Sequence, residues 1–193
     1  MKQLQIAIVL LCGLSYAAAG TASIGTASAR GDMQVDSHTV YGNATLFDGS
    51  VIETGQAAAE LRLEKGTEIV LGAKSSCTIH RDRLVLQQGV SELATATSFQ
   101  LEANGLRVTP NEPNSHGVVS VSSATSVDVS TLQGSFRVTN DQGVVLTSVR
   151  PGLTLSFAMQ AGAGTKWTFT TTGKTAREAG VHISVQPKNW AGP

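Results

Sequence analysis

The chain has 193 residues, enough for one domain with a real core but not for two generous ones once terminal segments are set aside. Only 15% of its residues are charged, against roughly 25% in an average globular protein, so Ser, Thr, Asn and Gln must cover much of the surface. Lys plus Arg and Asp plus Glu each number 14, a balance that excludes an electrostatic footprint for nucleic acid or an anionic membrane.

Residues 1–19 predict a signal peptide: Lys2 opens it, an apolar run follows from Ile6 to Leu14, and Ala17 and Ala19 fit A-x-A cleavage after Ala19. The run falls short of the roughly 20 residues that span a bilayer, no second span follows, and the expected location is the periplasm or beyond. Without Lys2 the balance is 13 basic against 14 acidic residues, a net charge near −1. Leu11 before Cys12 departs from a lipobox, so lipidation there is not expected; with the signal removed Cys77 is the one thiol left, and no internal disulfide is expected. Gly-Thr-Ala-Ser occurs at 20–23 and again at 25–28, and its small polar residues predict a flexible linker over 20–36.

From 37 to 158 the pattern is that of one all-β domain. Period-two runs at Leu61 and Leu63, Ile69 and Leu71, Val127 and Val129, Phe136 and Val138, and Leu153, Leu155 and Phe157 predict strands with one buried face, the odd positions of 61–71 inward. Asp48-Gly49, Lys65-Gly66, Gln88-Gly89, Asn104-Gly105, Gln142-Gly143 and Pro151-Gly152 predict chain reversals between them. Gln56 to Leu63 has helix formers, but its flanking glycines and the Leu61, Leu63 alternation favour a strand. A loose echo joins Leu63–Leu71, Leu132–Val138 and Val149–Leu155, too irregular in spacing for a solenoid. The architecture expected is a β-sandwich, roll or short β-helix. Residues 159–193 form an extension, with possible strands at 166–171 and 181–185 as an extra hairpin.

His38, His80, His116 and His182 are dispersed, and Cys77 and His80 face opposite sides of a strand, so no metal site is expected. Glu60, Glu64 and Glu68 suggest a carboxylate pair, but solvated strand charges account for them, and only Tyr41, Trp167 and Trp190 remain as stacking platforms. No G-x-S-x-G elbow occurs. Arg30-Gly31-Asp32 is an adhesion tripeptide on the expected linker, and Gly162–Lys166 lacks phosphate-loop spacing. No catalytic, cofactor or metal residues are assigned.

Val40 to Leu93 resembles the first half of the FecR family. An apolar-x-Gly opening stands at Val40-Tyr41-Gly42 and a D-G-S-x-I-x-T-G element at Asp48–Gly55. Then come Leu61-Arg62-Leu63, Gly66-Thr67, Ile69-Val70-Leu71, Ser75 and the L-x-x-G element Leu86–Gly89. The second half is similar more loosely, at Phe99–Leu101, Gly117–Val121, Leu132–Val138 and Pro151-Gly152, and departs where the family carries G-T-x-F. The resemblance implies a periplasmic contact domain, without the cytoplasmic segment that FecR-type regulators use to control a sigma factor. It implies a non-enzymatic module with an envelope protein or a glycan as partner, in a setting of iron-uptake signalling. The alternative is a structural or adhesive surface protein of the β-roll type.

Overall fold

A computed structural model describes residues 22–95, 99–160, 166–171 and 182–183. They are almost entirely strand, which bears out the all-β expectation; the one helical feature is a single 3-10 turn at Glu64–Gly66. The strands are β1 (Ser23–Val35), β2 (His38–Phe47), β3 (Ser50–Thr54), β4 (Ala59–Leu63), β5 (Thr67–Leu71), β6 (Ser76–Ile79), β7 (Arg83–Thr95) and β8 (Gln100–Ala103). They continue as β9 (Leu106–Pro110), β10 (Ser115–Ser123), β11 (Ser126–Gln133), β12 (Phe136–Thr139), β13 (Val145–Val149), β14 (Thr154–Gln160), β15 (Lys166–Thr171) and β16 (His182–Ile183). No helix among the described residues is long and apolar enough to cross a membrane.

Six strands close on themselves in the order β1, β3, β6, β7, β5, β4 and back to β1. Closure follows from two long strands that bend, so that each pairs with two neighbours in succession. The start of β1 pairs with β4 and its end with β3; the start of β7 pairs with β6 and its end with β5. Period-two alternation then aims one apolar row across the ring at Ala27, Leu61, Ile69 and Leu93, and another at Val35, Ile52, Cys77 and Leu86. Leu61, Leu63, Ile69 and Leu71 are all buried, as their odd register predicts.

The chain then repeats the scheme, with β7 shared. β9 pairs with β12 as β3 pairs with β6, and the hairpin β10–β11 matches β4–β5. β12 pairs with β13 and β11 with β14, as β6 and β5 pair with the two ends of β7. An apolar-x-x-Gly step makes the bend each time: Leu86–Gly89 inside β7, and Val149–Gly152 between β13 and β14. Both halves contribute to one continuous core. The echo seen in the sequence lies at three different joints, β4 to β5, β11 to β12 and β13 to β14, so its spacing is not that of the structural repeat.

Two expectations are corrected. Residues 23–35, read as part of a linker, are β1, whose Ile24, Ala27, Met33 and Val35 are buried. Pairing on both sides overrides a composition that would not order alone, and the small residues are required: a Cβ at Gly25 would lie 2.9 Å from Leu63 Cα. Gln88-Gly89 does not reverse the chain; it is a bend within β7. The expected extra strand at 166–171 is present as β15, pairing with β14, and β16 adds two residues. Residues 1–19 and 184–193 lie outside the described residues.

Candidate binding surface

The sequence motif residues meet in the first barrel, where they join strands. Thr54 Oγ1 donates to the Gly72 carbonyl at 2.6 Å and accepts from the Ser75 amide at 2.8 Å. Ser75 Oγ in turn accepts from the Val90 amide at 3.0 Å and donates to its carbonyl at 3.2 Å. Gly89 sits against this knot at φ +91°, where a side chain would strike Ser75. Asp48 Oδ1 accepts from the Arg81 amide at 3.0 Å, a bond that holds its carboxyl below the ordinary range, with His80 adding to it at 3.3 Å. Ser50 Oγ donates to Asp36 at 2.9 Å, and the Thr67 and Thr95 hydroxyls pair at 3.1 Å. These residues fix β7 and the turns.

The chemical constellations stay apart. Cys77 points into the core, where burial pushes its thiol up to about 12, while His80 faces Asp48 at a turn. His38 contacts its own hairpin, and His116 Nε2 meets Glu92 at 2.6 Å on the outer face. Glu60, two residues back on β4, and Glu68, opposite on β5, flank Arg62. Arg62 donates twice to Glu60, at 2.7 and 2.9 Å, and that bond with the charges of Glu60 and Glu68 raises its pKa further. Glu64 lies apart in the 3-10 turn. No group of three or more His, Cys, Asp or Glu that could hold a metal occurs among the described residues. Trp167 is buried, whereas Gly162–Thr165 and Trp190 lie outside the described residues.

A different feature stands out, a hairpin whose first strand falls in the expected linker. β1 and β2 form a hairpin closed by Asp36 and Ser37, both at positive φ as a two-residue turn requires. β2 pairs with β1 along one edge, and no strand pairs with its other edge among the described residues. Its ten residues include no Lys, Arg, Asp or Glu. Val40, Ala44 and Leu46 pack inward; Thr39, Tyr41, Asn43, Thr45 and Phe47 are exposed, Tyr41 at 78%.

Beside this edge β1 carries a bulge, since the register slips between Ala29 and Asp32 to accommodate Arg30 and Gly31. The adhesion tripeptide therefore lies in a strand bulge. Next to it is an open depression of about 420 Å³, floored by Ser28, Ala29 and Ala57–Ala59 and rimmed by Arg30, Asn43 and Glu60. From there one outer face runs unbroken across β2, β1, β4, β5, β7, β10, β11 and β14, and it is lined mainly by Ser, Thr and charged pairs. An uncharged open edge on a polar sheet can take up an extended strand through backbone bonds. Neither a known protein-family profile nor a characterised protein matches this sequence.

Proposed function

We propose that the protein is an exported, non-enzymatic envelope module that works by contact, taking up a strand of a protein partner along the open edge of β2. The observation that carries this reading is the unpaired, uncharged edge of β2, with Tyr41 exposed beside the Arg30 depression. Strand addition draws affinity from main-chain hydrogen bonds and specificity from alternate side chains, so it needs no catalytic or ligand motif. The resemblance of Val40–Leu93 to the FecR domain supports a periplasmic contact role in the setting of iron-uptake signalling. Lys2, the Ile6–Leu14 run and Ala17–Ala19 support export with cleavage after Ala19.

The test is capture of partners from envelope extract by the wild-type chain and by a variant carrying Tyr41→Lys and Asn43→Lys, both outward positions on β2. Edge charge opposes strand pairing, so the variant should lose the partner while its thermal unfolding stays unchanged. Equal capture by both proteins refutes the reading. So does turnover of a glycan, ester or peptide that vanishes on changing one Glu or Ser.

A further inference from the structure

We infer that the strand taken up by β2 comes from β13 of a second copy of this chain, so that copies join head to tail. The inference rests on the reading of β2 as a binding edge and names its partner.

The duplicated topology supplies the argument. β13 holds the place in the second half that the start of β7 holds in the first, pairing with β12 as β7 pairs with β6. In the first half the outer edge of that strand is filled: β8 lies parallel to it, Arg83–Leu86 against Gln100–Ala103. In the second half no strand pairs with the corresponding edge of β13 among the described residues. Among the described residues the fold thus fills this strand joint at β7 and leaves the same position open at β13.

The two edges match in length and chemistry. Gly42 and the bulge opposite it divide β2, leaving Asn43–Phe47 as a five-residue stretch, the length of β13. No charged residue or proline occurs from Gly143 to Val149, and Val144 and Val145 are exposed at 53% and 55%. Edges meant to stay single usually carry Lys, Pro or inward charge, and neither stretch does. The remaining end of the sheet path, β16, has two residues. β2 and β13 are different surfaces, so each copy joined through one of them keeps the other for a further copy, and a row of copies grows where the rotation between neighbours does not close it.

The experiment is sedimentation velocity of the purified chain over roughly two decades of concentration, with two variants checked for folding by circular dichroism. Thr45→Lys blocks β2 and Ser148→Lys blocks β13; both side chains are exposed, and glutamate replaces lysine wherever a variant fails to fold. The wild type should form species that lengthen with concentration, and each variant alone should remain a monomer. Mixed in equal amounts, the two variants should yield a dimer and nothing larger, about a twofold rise in mass, because each retains the end that the other lost. A wild type that stays monomeric, or a mixture that stays monomeric, overturns the head-to-tail assignment. If the wild type is monomeric yet Tyr41→Lys with Asn43→Lys still costs the envelope partner, only this assignment falls. If the β2 variants both assemble and capture as the wild type does, the β2 reading falls with it.

Discussion

Gly89 is where the shared strand bends, and its replacement separates two costs that usually come together. Gly49 and Gly89 have nearly the same backbone, φ +88° and +91°. A Cβ at Gly49 meets nothing within 4 Å, whereas one at Gly89 lies 2.6 Å from Ser75 Cα and closer still to Ser75 Oγ. Ser75 cannot swing away without abandoning its bonds to Val90 and Thr54. Alanine at Gly49 therefore carries only the left-handed backbone penalty, about 1 to 2 kcal/mol. Alanine at Gly89 adds overpacking of about 1 to 3 kcal/mol, for a total of roughly 2 to 5 kcal/mol. Urea unfolding of both variants, read as the change in midpoint at constant slope, makes the comparison. Equal losses would refute the claim that the Ser75 knot holds the bend of β7.

Leu63→Ala should cost about 2 to 5 kcal/mol and Arg62→Ala less than about 1 kcal/mol, since Leu63 faces the barrel interior and Arg62 the solvent; the reverse order in urea unfolding would break the register. Ser91 Oγ is buried on the inner row with no hydrogen-bond partner, so Ser91→Ala should leave stability unchanged or raise it by about 1 kcal/mol, and a loss beyond that would show an unrecognised bond. Cys77 should resist alkylation at pH 8 in the native protein and label fully in urea. Its raised pKa predicts stability that is complete below the ordinary thiol value of 9.0 and declines as pH rises toward about 12. Cys77→Ala should remove that part of the alkaline decline in the urea midpoint, and an identical decline in both proteins would count against it.

Much of the strand pattern was legible because barrel walls alternate strictly. Leu61, Leu63, Ile69 and Leu71 faced inward as their spacing required, and the turns at Asp48-Gly49, Lys65-Gly66 and Asn104-Gly105 reverse the chain at positive φ. β1 was hidden by its composition. A strand wedged between β2 on one side and β3 and β4 on the other needs Gly25 and Ala27 for close approach, and those residues read as linker until the neighbours are known. The position of the open edge was hidden for the same reason, since edge status belongs to pairing and leaves little trace in side chains; the absence of Lys, Arg, Asp and Glu from His38 to Phe47 was the one available signal. The duplication leaves little trace in the sequence because its halves share pairing order while their side chains differ, as Leu86-Gln87-Gln88-Gly89 and Val149-Arg150-Pro151-Gly152 illustrate. The Thr54, Ser75 and Gly89 motif was legible as a pattern, but only the fold shows that it clamps strands.

Amide hydrogen exchange across residues 38–47, compared between the dilute chain and its complex, reads contact through the open edge of β2 at the edge itself. Amides on the free edge of β2 should exchange quickly in the dilute chain and slow by at least about tenfold in the complex, while the exposed 3-10 turn at Glu64–Gly66 does not change. Protection that appears elsewhere on the surface, with β2 exchanging as it does in the dilute chain, would contradict it.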